Sequence, residues 1–185
     1  MLSMQYADYA QFIHTGKVGN IHDLIGRTEE TLLKAKRYFL ENGLMLNAKK
    51  IQFIFIGTRQ IMSQIPENVR INFDNEAIEP SKHVKNLGIY MDNTLLFDKH
   101  IHELCKKVTG TLLYINRMSE RFDRESRTQI VQTLVLSMMN YCLKIWGTRT
   151  GAQTQKVQKL QNFAARVAVG GIRIYDHITP NINDL

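Results

Sequence analysis

The chain has 185 residues, 44% of them apolar, and a formal net charge of +7, enough for a sizeable buried core in one domain or a piece of a larger one. No stretch approaches the roughly 18 uninterrupted apolar residues of a membrane span, and Gln5, Asp8 and Gln11 make the first residues too polar for a secretory signal. The charge is unevenly placed. Residues 1–98 hold 11 basic and 11 acidic side chains, whereas residues 99–175 hold 13 basic against 4 acidic, which predicts a local surface for a polyanion, with a solvated helical face as the plain alternative.

Taken in order, Leu2–Met4 and Ala10–Ile13 read as two short strands, with Ala7 and Asp8 at the turn between them. Asp8 can shape that turn or present a carboxylate to a hard divalent cation. Asn20, with Asp23 in the first turn, is expected to cap a helix from Ile21, and Gly43 to end it. Ile21, Leu24, Ile25, Thr28, Leu32, Ala35 and Phe39 recur at helical spacing, while Arg27, Glu30, Lys34, Arg37 and Glu41 point elsewhere. Residues 49–57 read as a strand that is apolar on both faces and therefore buried.

After a connection containing Pro66, Val69 to Phe73 alternates strictly, as a half-exposed strand does. Asp74-Asn75 supplies a turn into a return strand at Glu76–Ile78. Val84–Met91 reads as one more strand, in which Gly88 marks a bulge, a close backbone approach or ordinary packing.

From Asp98 the period becomes helical. Three apolar stripes are predicted: Ile101, Leu104, Cys105, Val108, Leu112 and Ile115; then Ile130, Val131, Leu134, Met138, Tyr141, Cys142 and Ile145; then Val157, Leu160, Ala164, Val167 and Ala168, ending at Gly170-Gly171. None would be stable alone, so they are expected to pack as a three-helix bundle. Lys106, Lys107, Arg117, Arg121, Arg124, Arg127, Lys156, Lys159 and Arg166 fall on the outward faces and are candidate phosphate contacts. Tyr114, Phe122, Tyr141, Trp146 and Phe163 read as core rather than as base-stacking platforms. Cys105 and Cys142 read as core thiols in a reducing compartment. The fold class is therefore α+β, with a small antiparallel region and one packed helix over 1–97 and an all-α region over 98–185.

Four blocks, residues 6–12, 41–57, 84–101 and 145–171, taken together and in this order, resemble the C-terminal part of the reverse transcriptase of jockey-like, LINE-type retrotransposons. The resemblance implies the end of a polymerase palm followed by a thumb. In that family the first block is Tyr-Ala-Asp-Asp, the second an Asn-x-x-Lys-Thr segment, and the third a Leu-Gly strand leading into a helix. Here Tyr9 stands in place of the second aspartate and Ile51 in place of the threonine.

By this resemblance Asp8 is the metal ligand of a catalytic hairpin and Mg2+ the cofactor. Lys50 is the lysine near the incoming nucleotide, unless it is only a solvated lysine at a strand entry. Asn47 caps the adjoining turn or orients the loop. Leu87 and Gly88 belong to the hairpin that grips the primer end, an RNA template and a DNA primer are the partners, and the nucleus or cytoplasm is the setting. Two-metal phosphoryl transfer requires carboxylates from more than one segment. With the fingers and first catalytic aspartate expected from an upstream segment, the isolated chain is expected to be silent as an RNA-directed DNA polymerase. A non-catalytic basic module for RNA–DNA hybrid or double-stranded nucleic acid is the alternative, and an unpaired palm edge could instead recruit another chain.

Overall fold

The computed structural model describes the backbone of residues 2–6, 9–147 and 151–170, and side-chain burial for 10–147, 151 and 153–170. The class is α+β. The chain forms two compact units: residues 1–86 with 92–95, and residues 87–91 with 96–185.

The first unit opens with β1 (Leu2–Tyr6) and β2 (Tyr9–Ile13), antiparallel with Tyr6 opposite Tyr9. Helix α1 (Ile21–Glu41) follows a single 3-10 turn at Val18–Asn20. Asn20 occupies the N-cap position, yet its side chain accepts no capping bond, contrary to expectation; Asp23 in the first turn instead pairs with Arg27 at 3.1 Å. The C-terminus closes as the glycine predicts. Gly43 adopts φ +75°, its N–H reaches Leu40 O, and Leu44 N–H reaches Phe39 O at 2.8 Å, the paired bonds of a Schellman motif.

Residues 49–57 depart from the predicted strand. Ala48–Lys50 form a 3-10 turn. The following segment makes one isolated parallel bridge, Phe53 to Pro80, supported by Ser81 N–H donating to Phe53 O at 2.8 Å. Residues that are apolar in succession satisfy a partly buried irregular segment as well as a strand, and a proline as ladder partner has no N–H to donate. The next connection contains a four-residue helix, α2 (Arg59–Met62), capped by Thr58.

Strands β3 (Ile71–Phe73) and β4 (Glu76–Ile78) form the predicted hairpin, with Phe73 opposite Glu76. Asp74 and Asn75 both take positive φ, as a two-residue turn of matching twist requires. Leu32 of α1 packs with Ile71 and Phe73, and Phe12, Ile25, Leu46, Ala48, Ile51, Phe53 and Ile78 close around them. Lys36 pairs with Asp74 and lies over the Phe73 ring, pinning the hairpin tip to α1. The unit ends with β5 (His83–Asn86) and returns for Asp92–Leu95, where Thr94 donates twice to the buried Asp92 carboxylate.

The expected single strand over 84–91 is broken. β5 stops at Asn86, Leu87 and Gly88 turn with φ +44° and +87°, and β6 (Ile89–Asp92) follows. Two consecutive left-handed residues cannot continue a pleated strand, so Gly88 marks a turn rather than a bulge.

The second unit is built on α3 (Asp98–Arg117), α4 (Arg124–Ile130) continued by a π-helical segment (Val131–Leu136) and α5 (Ser137–Asn140), then α6 (Leu143–Trp146) and α7 (Ala152–Val169). Helix α7 packs on α3 and α4, and α3 packs on the π segment and α5. The first and third stripes are buried largely as read, with Cys105 and Val157 half-buried. Ala164, Ala165 and Ala168 are fully enclosed, and such small side chains let helix axes approach closely.

The second stripe is displaced. Val131, Val135, Met139 and Trp146 are buried, while Leu134, Tyr141 and Ile145 are exposed. The buried residues 131, 135 and 139 recur every four positions. At 100° per residue an α-helix drifts by about 40° at each such step, so the three share one face; Val131 and Val135 fall in the π segment and Met139 in α5. Beyond Asn140 the helix breaks, with Cys142 at φ +51°. Cys142 is thus a half-buried residue of a left-handed break rather than part of a helical core stripe.

Candidate nucleic-acid interface

The candidate basic residues sit on the helices whose apolar faces build the second unit, so burial of one face dictates exposure of the other. With Leu104, Val108 and Leu112 turned inward, Lys106 and Lys107 face solvent from α3, and Arg117 does so from its last turn. Arg121 ends a 3-10 turn at Ser119–Arg121, and Arg124 opens α4; both are exposed. Lys156 and Lys159 are exposed on α7.

Helix stability does not favour Arg124 or the Lys156–Lys159 pair. A cation at the first position of α4 opposes the helix dipole, and Lys156 with Lys159 places like charges three residues apart on one face. Asp123 offsets the first effect by capping α4, accepting from Ser126 N–H at 2.8 Å. Its hydrogen bonds with the Ser126 side chain and backbone, with the Arg127 charge a smaller influence, hold its carboxyl below the usual aspartate value.

Two of the nine candidates are placed differently. Arg127 and Arg166 are half-buried. Arg127 donates to Val169 O at 3.4 Å, capping the C-terminal end of α7, where a cation is favoured. Gly170 makes room for it: a Cβ there would stand 2.3 Å from one guanidinium nitrogen, and its φ is +72°. Burial pushes the Cys105 thiol up, and the charge of Lys156 on α7 partly offsets this.

Leu87 and Gly88 form an exposed turn held from behind. The Tyr141 hydroxyl donates to Leu87 O at 2.7 Å, and a Cβ on Gly88 would meet the Tyr141 ring at 3.6 Å. Trp146 Nε1 donates in turn to Tyr141 O at 2.9 Å, and His100 packs edge-on against the Trp146 ring. Burial lowers the His100 pKa.

In the first unit, Lys50 is exposed at the end of its 3-10 turn. The Asn47 side chain accepts from Lys49 N–H at 3.0 Å, so Asn47 caps that turn. Asp8 lies outside the described residues. Among the described residues no three His, Cys, Asp or Glu side chains stand together as a metal site.

The aromatic reading needs correction. Trp146 is enclosed and Phe163 half-buried, but Tyr114 is 66% exposed, and Tyr141 and Phe122 are also exposed. The signal was available, since Leu112 and Ile115 define the inward direction of α3 and Tyr114 falls off that stripe. Asp92 and His100, buried polar residues, had no periodic signature.

No family model and no solved structure matches the chain. An uncharacterized protein of Encephalitozoon cuniculi (strain GB-M1) is 28% identical to it over 80 residues, 43% of this chain. The match spans 28% of that relative's length. No helix among the described residues is long and apolar enough to cross a membrane.

Proposed function

We propose that this chain is the end of the palm and the thumb of an RNA-directed DNA polymerase of a LINE-type retrotransposon, and that its second unit grips the backbone of an RNA template paired with a DNA primer. The observation that carries this reading is the exposure of Lys106, Lys107, Arg117, Arg121, Arg124, Lys156 and Lys159 around a packed helical unit. Phosphate contacts of this kind position a duplex without reading its sequence. The turn at Leu87-Gly88, braced by Tyr141, supports the assignment of a primer-gripping element.

Asp8 would be the Mg2+ ligand and Lys50 the residue facing the nucleotide. Mg2+ would activate the primer hydroxyl and stabilise the leaving oxygens. Because Tyr9 stands where the family has a second carboxylate, the 185-residue polypeptide binds without extending, and an upstream palm and fingers segment is the partner that would complete the site. A nuclear or cytoplasmic setting goes with this role.

The test is Mg2+-dependent primer extension on an RNA template, run beside filter binding of the same hybrid. Binding without extension is expected. Extension that disappears in Asp8→Asn would overturn the claim of silence, and failure to bind at low salt would overturn the thumb assignment.

A further inference from the structure

Two features of α3 are costly and unexplained by the fold. Gly110 lies inside the helix, where glycine is less favourable than alanine by about 1 kcal/mol. Neither a left-handed φ nor a close neighbour requires it, because a Cβ at that position would meet nothing within 4 Å. One turn further on, Tyr114 leaves its ring 66% exposed, although tyrosine is a poorer helix former than the lysines around it.

Both lie on one exposed face of α3, which carries Glu103, Lys106, Lys107, Gly110, Thr111 and Tyr114 around a shallow, open depression. The spacing 107, 110, 114 puts them on one face, with Lys107 and Tyr114 about 10 Å apart along the axis and the glycine notch between them. The Thr111 hydroxyl is occupied by Lys107 O at 3.1 Å. Gly26 of α1 is equally open, but Asp23 and Glu30 flank it, and no exposed aromatic stands one turn away.

We propose that this face of α3 is a subsite for one unpaired nucleotide of a single strand, a role that rests on the reading of the second unit as a nucleic-acid grip. The Tyr114 ring stacks on the base. Lys106 and Lys107 meet the phosphate, and Gly110 lets the sugar approach the helix. Glu103, exposed one turn before the lysines, repels phosphate towards them. Stacking on an aromatic face accepts any base, so the subsite tolerates sequence and rejects a fully paired duplex, whose bases offer no free face.

The test uses the full chain with two labelled probes, a 12-nucleotide single strand of mixed sequence and a blunt RNA–DNA hybrid, each titrated at two salt concentrations. Tyr114→Ala is expected to weaken single-strand binding by about 10- to 100-fold, with hybrid binding unchanged within about twofold and with the salt dependence retained. Tyr114→Phe, which keeps the ring, should stay near wild type. Gly110→Leu should fold at least as well as wild type, since it raises helix propensity, yet weaken single-strand binding by filling the notch.

Unchanged single-strand affinity in Tyr114→Ala and Gly110→Leu, with hybrid binding intact, would overturn the subsite and leave the thumb reading standing. Equal weakening on both probes would also overturn it. A wild-type chain that binds neither probe would remove the thumb reading and the subsite with it.

Discussion

Leu134 and Val135 are adjacent apolar residues, and only one of them can face the core. The structure leaves Leu134 52% exposed and Val135 fully buried. Val135→Ala removes two buried methyl groups. At roughly 0.8 kcal/mol per carbon, plus a cavity term, it should cost about 2–3 kcal/mol. Leu134→Ala removes more carbon, but about half of it already meets water, so the loss should be roughly 1 kcal/mol or less. Met139→Ala, on the same buried line as Val135, should cost about 2–5 kcal/mol.

The chain's single tryptophan, Trp146, is enclosed in this same unit, so its fluorescence during urea denaturation reports the unit's stability directly. The stripe read from the sequence, with Leu134 inward and Val135 outside it, reverses the order of the first two variants. A Leu134→Ala loss larger than the Val135→Ala loss would therefore refute the inward placement of Val135 and the core built on it.

Other consequences follow from particular contacts. Gly170→Ala should destabilise by about 1–3 kcal/mol from its positive-φ, extended backbone alone, and more because the Arg127 guanidinium must move; a melting point that does not fall would contradict that capping contact. Burial holds the His100 pKa below its ordinary value of about 6.5. As pH falls through that value, the unfolded chain takes up a proton that folded His100 resists, so stability should decline between about pH 7 and pH 5. His100→Phe should flatten that decline in urea titrations across the range, and an identical slope in the variant would count against the assignment.

Where structure follows short-range chemistry, the sequence was readable. Asp74-Asn75 is a turn because both residues tolerate positive φ, and Gly43 and Gly170 end helices for the same reason. The regular stripes of α1, α3 and α7 contain enough polar residues to define a single inward face. Residues 130–145 do not, because apolar side chains occur on several faces, and a π segment followed by a left-handed break changes the phase without any composition signal. Residues 49–57 misled for a related reason. Hydrophobic runs specify neither full burial nor a hydrogen-bonding partner: none of residues 49–57 is fully buried, Ile56 is exposed, and the partner is a single bridge.

The candidate surface was legible as charge and less so as geometry. Seven of the nine basic residues named from the sequence are exposed, because a stripe that turns apolar groups inward turns lysine and arginine outward. Arg127 was missed as a helix cap because its acceptor, the Val169 carbonyl, lies 42 residues away in sequence. Tyr114 is exposed because it falls off the inward phase of α3, a signal its aromatic character masks.

The central claim is that the second unit holds nucleic acid by its backbone, and binding of an RNA–DNA hybrid measured across a series of salt concentrations tests it most directly. Each phosphate contact contributes about −0.9 to the slope of log affinity against log salt on B-form duplex, so several engaged cations predict a steep slope. Lys156→Ala combined with Lys159→Ala should make it shallower by roughly two. Tight binding at low salt with a steep slope that these substitutions reduce is the predicted result. No binding at low salt, or a slope near zero, would contradict the account.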